Sequence, residues 1–286
     1  MADFKRVFRT AWTLSKDSVM SFVDDDVLSK GASIAFYTVT SIAPVLIIMI
    51  AIAGLAFGDA AAQGAITDEL SGLIGSQSAQ FLQSVVVSAS NKSTSIIASV
   101  LGLLTLVVTA SGVFSEMQSA LNIIWKTAPS GGSVSRFINS RIASLGLVAA
   151  LGLLLLLSLG ISAVLGVLGN YIDLYLPFGH TVLLWINVVV SFLLMSISFA
   201  AIYKILPDTP LEWADVLVGA VVTAFLFEVG KYLIGLYIKS SSMISSYGAA
   251  AGLIVLLVWI YYSAQIFLLG AEFTKTYARY RDSKGK

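Results

Sequence analysis

Leu145 to Gly169 reads LGLVAALGLLLLLSLGISAVLGVLG, a run of 25 residues without a charge. Inside a hydrocarbon layer no water is present to bond backbone N–H and C=O groups, so only a helix or a closed barrel satisfies them there. A barrel strand alternates apolar with polar residues, and this run does not alternate. It predicts a transmembrane helix. Five further stretches have the same character, giving expected spans at about 33–57, 95–116, 142–168, 181–203, 214–238 and 249–271. Each is about 20 residues or longer, enough to cross a hydrocarbon core of about 30 Å. The composition agrees: 57% of the 286 residues are hydrophobic and 12% charged, with a mean hydropathy of +0.90, where soluble domains carry about 25% charged residues. The expected fold is therefore an all-α integral membrane protein, one six-transmembrane-helix bundle over residues 1–286.

Orientation is read from lysine and arginine. Six spans place both chain ends on one side. That side collects Lys5, Arg6, Arg9, Lys16, Lys30, Lys126, Arg136, Arg141, Lys204, Lys275, Arg279, Arg281, Lys284 and Lys286, against only Lys92 and Lys239 on the other. Fourteen against two places both termini, including the 272–286 tail, in the cytoplasm by the positive-inside rule. Residues 1–30 hold Lys5, Arg6, Arg9 and Asp24 to Asp26 without an apolar core, so they do not read as a signal peptide. Within them, residues 4–23 read as a basic amphipathic helix on the cytoplasmic surface. Residues 66–90 read as a second amphipathic helix, on the outer side.

The composition also excludes chemistry. With no cysteine, disulfides, thiolate metal sites and cysteine nucleophiles are ruled out, and with one histidine, His180, so is a multi-histidine metal site within one chain. A net charge of +1 offers no nucleic-acid face. There is no Walker loop and no nucleophile turn. No enzyme activity, cofactor or metal is expected.

The residues that ask for an explanation lie in FLFEVGKYLIGLY, Phe225 to Tyr237. Glu228 is about ten residues, roughly 15 Å, from the outer end of its span, and Lys231 follows on the same face, close enough to pair with it. A central charge costs roughly 2.5–3.5 kcal/mol on insertion scales, so the pair is expected to face the bundle interior or a wet cavity. Two readings stay open: an ion pair that fixes helix register, or the lining of a path for a charged or amphipathic substrate. Lys239 extends the stripe outward. Tyr37, Ser41 and Pro44 form a polar side of the first span, where Pro44 is expected to bend the helix. Gln265 lies deep in the sixth span, and Glu116 and Asn122 form part of a polar collar at the inner end of the second. Glu272 reads as a solvated helix end beside Lys275.

Four stretches resemble the YihY/BrkB family of bacterial inner-membrane proteins: KGASIAFYTVTSIAPVL (Lys30–Leu46), ALNIIWK ending at Lys126, ILPDTPLEWADVLVGAVVTA (Ile205–Ala224) and SSYGAAAGLIVLLVWIYYSAQIFLLGAEFTK (Ser245–Lys275). The resemblance implies six helices with both termini cytoplasmic. Members of that family are linked to envelope integrity and to lipid transport, and some carry a ribonuclease label, which the residue inventory of this chain does not fit. The function expected from residues and resemblance together is translocation of an amphipathic lipid, a phospholipid or glycolipid precursor, across the inner membrane. Polar stripes of the first, fifth and sixth spans would shelter its head group. A small-solute or ion transporter coupled through Glu228 and Lys231 is one alternative, and a non-transporting envelope scaffold another. The implied partners are membrane lipids, with a homo-oligomer or envelope proteins beside them and no nucleic acid.

Overall fold

The computed structural model describes residues 2–89, 96–127, 179–240 and 251–284, together with 146, 149–154, 157, 160 and 161. The described residues are helical almost throughout. The helices are α1 (Ala2–Asp24), α2 (Val27–Phe57), α3 (Asp59–Ile74), α4 (Ser76–Ala89), α5 (Ile96–Ile124), α6 (Gly179–Ile205), α7 (Trp213–Ser240) and α8 (Ala251–Lys284). Four of them contain stretches long and apolar enough to cross a membrane: Val27–Leu55, Trp185–Ile205, Trp213–Tyr237 and Ala251–Lys284. The second expected span falls within α5, and the third lies largely outside the described residues.

Breaks between helices sit where the backbone takes positive φ. Asp26 has φ 49° between α1 and α2, a conformation that a short polar side chain tolerates better than most. Gly58 and Gly75, at φ 86° and 83°, each close the preceding helix, donating their N–H to Gly54 and Ser71 carbonyls. The segment expected as one amphipathic helix over 66–90 is thus two helices rather than one, because at Gly75 the chain adopts a conformation open only to glycine. α5 ends with Lys126 at φ 53°, Thr127 N–H on the Asn122 carbonyl and Lys126 N–H on that of Ile123, the reciprocal C-terminal pattern usually built on glycine. Pro44 sits inside α2, whose helix continues through it.

α8 is the central element. It packs on α7, α2, α1, α4 and α5, while α6 packs on α7, and α2 on α5, α3 and α4. One hydrophobic core joins Val27, Ile34, Val113, Phe114, Leu121, Tyr203, Val216, Ala220 and Phe267; a second joins Leu46, Ile66, Leu82, Val86, Leu256 and Ile260. In the first, the buried Tyr203 ring stacks on Phe267 at 5.2 Å and its hydroxyl bonds the Phe267 carbonyl at 2.6 Å and Thr223 Oγ1 at 3.0 Å. This joint ties α6, α7 and α8 together. Between α7 and α8 the contact is set by glycines: a β-carbon at Gly219 would strike Thr274, one at Gly230 would strike Tyr262, and one at Gly270 would strike Thr223. Such small residues let helices approach closely where the hydrophobic effect gives no drive between them. The outward faces of α6 and α7 are apolar, with Trp185, Val189, Leu193, Phe225 and Tyr232 all more than half exposed.

Candidate functional site

The amino acids of α7 sort into a packed face, Val216, Ala220, Thr223, Ala224 and Ile234, and an outward face, Val221, Phe225, Val229 and Tyr232. Glu228 and Lys231 fall on the flank between them. Their pair forms, with Lys231 Nζ donating to Glu228 Oε1 at 2.9 Å and lying 2.7 Å from Oε2. The two side chains remain 36% and 33% exposed. The pair therefore stands at the edge of the bundle surface; of the two expected settings, the bundle interior or a wet cavity, the sealed interior is the one excluded. The physical reason is the helix register, since the glycines and threonine that meet α8 claim the packed face. Lys239 lies in the last turn of α7, its side chain outside the described residues.

The other predicted residues do not converge on this pair. Ser41 Oγ donates to the Thr109 carbonyl of α5 at 2.6 Å, and the half-exposed Tyr37 ring lies over Gly112 of the same helix. Pro44 follows on α2, which packs most closely on α5 and α8. Gln265 Nε2 donates to the Leu28 carbonyl at 3.3 Å, and its side chain fills the notch at Gly31, with Oε1 buried and unbonded. Among the described residues no hydrogen bond or ion pair joins the polar residues of α2 to Glu228 or Lys231, while α8 packs on both helices.

Asn122 clamps the connection between α6 and α7. It donates Nδ2–H to Asp208 Oδ2 at 2.8 Å and accepts the Asp208 backbone N–H at 2.9 Å, while Gln118 donates to Asp208 Oδ1 at 3.1 Å. Glu116 is half-buried six residues before Asn122 on α5.

The densest charge cluster was not expected from the sequence. Glu272 is fully buried instead of solvated, and Lys275, 2% exposed, reaches both Glu272 Oε2 at 2.7 Å and Asp25 Oδ2 at 2.8 Å. Lys126 Nζ stands 3.8 Å from Asp25 Oδ1. Burial alone would raise the Asp25 carboxyl, but its hydrogen bond and charge contact with Lys275 outweigh this and hold it below the ordinary range. The cluster staples the α1–α2 turn to α8 and the end of α5. The visible signal was Asp24, Asp25 and Asp26 in a row; its partner lies 250 residues away. Beside the cluster, Arg281 of α8 joins Glu212 at 2.5 Å and Asp215 at 3.2 Å, at the start of α7.

Long apolar helices, an apolar outward surface and polar clusters at one end of the bundle define a polytopic helical membrane protein. The model of the Virulence factor BrkB family matches residues 18–286, and the chain belongs to that family. It is 38% identical over 200 residues to the UPF0761 membrane protein YihY of Salmonella typhimurium and, equally, to that of Salmonella newport, an alignment covering 69% of this chain. The chain spans 64% of the length of these relatives. No solved structure matches it.

Proposed function

We propose that the protein translocates an amphipathic lipid along the flank of α7. The observation that carries this reading is the ion pair in the middle of an apolar helix whose two side chains are each about a third exposed at the bundle surface. A purely structural pair in a scaffold gains most when sealed from its surroundings, and a solute path is closed to lipid. A pair open at the edge of an apolar face meets a different need: it offers a lipid head group a charged station while the acyl chains stay in the bilayer. Glu228 lies three residues from the centre of the Trp213–Tyr237 stretch, about 5 Å along the axis. Lys231 is then the group that meets a phosphate. In this proposal the membrane is the bacterial inner membrane, the termini are cytoplasmic, and no enzyme activity is involved.

The test is leaflet exchange of a labelled anionic phospholipid in liposomes holding the purified protein, with empty liposomes as control. Exchange above background is expected for the native chain and should vanish in a folded Glu228→Gln, Lys231→Gln double variant. Undiminished exchange in that variant would remove Lys231 as the station. No exchange by the native protein would count against lipid translocation itself.

A further inference from the structure

We propose that the cleft between α1 and the last turns of α8 binds a phosphate ester. The cleft encloses about 640 Å³, within the range of about 300–1,000 Å³ typical of small-molecule sites. α1 contributes Arg9, Thr13 and Asp17, spaced by four so that they share one face, and α8 contributes Thr276, Arg279 and Tyr280. Two guanidinium groups from two different helices thus border one cavity, with hydroxyls between them. Thr10 Oγ1 and Tyr280 OH, 3.5 Å apart, join the two walls.

The arginines are what distinguish this place. Among the described residues neither Arg9 nor Arg279 is paired with a carboxylate, whereas Arg281, two residues on, is engaged by Glu212, Asp215 and Asp282. The lining carries two guanidinium groups against the single carboxylate of Asp17. A planar guanidinium presents parallel N–H donors that match phosphate oxygens, and two of them on one cavity neutralise a dianion. The cleft also has an apolar exit. Met20 lines it and is 54% exposed, and on the outer side of α1 stand Trp12, Val19 and Val23. A phosphate ester that carries an acyl chain has surface to follow there, while a soluble ester needs only the polar wall. The site is separate from the Glu228–Lys231 pair and does not depend on the transport reading.

The experiment titrates the purified full-length protein in a non-ionic detergent with two probes, glycerol 1-phosphate and a short-chain phosphatidylglycerol, by calorimetry. Binding of at least one probe is expected. Glycerol 1-phosphate binding alone identifies a soluble ester as the ligand type; binding of the phosphatidylglycerol alone identifies a lipid head group. Arg9→Gln and Arg279→Gln should each weaken binding on the order of tenfold, with Arg→Lys at either position weakening it less because charge is kept and the fork lost. Asp17→Asn should tighten binding. All these side chains lie at the surface of the cleft, so thermal midpoints should stay near the native value, and that measurement accompanies each titration. The proposal is overturned by absence of binding of both probes, by unchanged affinity in the folded Arg9→Gln, Arg279→Gln double variant, or by weaker binding in Asp17→Asn.

Discussion

Glu228–Lys231 and Glu272–Lys275 are the same local motif, a glutamate with a lysine three residues on, written into α7 and α8. Their environments differ. The first pair is about a third exposed on the flank of α7; the second is 0% and 3% exposed and shares its lysine with Asp25. Removing one member of a buried pair strands the other and costs about 3–5 kcal/mol; at Glu228–Lys231 the partner left behind stays partly exposed. Lys275→Met strands two carboxylates, Glu272 and Asp25, and Lys231→Met only Glu228, so Lys275→Met is expected to lower the thermal midpoint in detergent, or the yield of folded protein, more than Lys231→Met does. Equal losses at the two positions would show that the burial difference has no energetic meaning. Local sequence could not rank these pairs. Spacing predicts that each pairs, but what buries Glu272 is the α1–α2 turn, brought from the other end of the chain. The same holds for Asn122: its type and depth suggested a polar role, and its partner, Asp208, is 86 residues away.

At the scale of elements, the apolar runs were enough to locate α2, α5, α6, α7 and α8, because in a hydrocarbon layer hydrophobic length nearly dictates a helix. Several boundaries escaped: α2 begins at Val27 rather than near 33, and α5 runs to Ile124 rather than 116. The 66–90 segment splits at Gly75, and α8 continues to Lys284 instead of ending near residue 271. At 1.5 Å per residue its 34 residues extend about 51 Å, roughly 20 Å more than a hydrocarbon core needs. That excess provides the wall against which α1 packs. Which helices adjoin was also illegible, since polar stripes on α2 and α7 look alike whether or not the helices meet. What decides adjacency is shape, and the α7–α8 contact makes this testable. Gly219→Ala and Gly270→Ala each place a methyl group on a threonine of the facing helix, and overpacking of this kind costs about 1–3 kcal/mol. Gly235→Ala, with nothing within 4 Å of the added carbon, should be neutral or slightly stabilising as helix propensity improves. The thermal midpoints of these three variants check the interface: a Gly219→Ala protein as stable as Gly235→Ala would mean that α7 and α8 do not pack in this register.

For the whole molecule, the polar contacts fix which helix ends lie together. Asp25 binds Lys275 and stands by Lys126, so the start of α2, the end of α5 and the last third of α8 share one end of the bundle. Asn122 binds Asp208 and Arg281 binds Glu212, which brings the end of α6 and the start of α7 to that same end. α5 therefore finishes where α6 finishes, and α6, being 27 residues of continuous helix, begins at the opposite end. The apolar run Leu145 to Gly169 lies between them in sequence, and the sixth crossing expected of it is a prediction. Labelling with a membrane-impermeant thiol reagent in intact cells tests the argument against a clean background, because the chain has no cysteine. Cysteines at Thr127 and Ser283 should stay unlabelled until the membrane is opened, and cysteines at Asp68 and His180 should react from outside. Matching behaviour of positions 127 and 180 would remove the crossing between them and reduce the count to five. Labelling of position 283 in sealed cells would instead keep the count and reverse the orientation, placing the arginine-lined cleft of α1 and α8 outside.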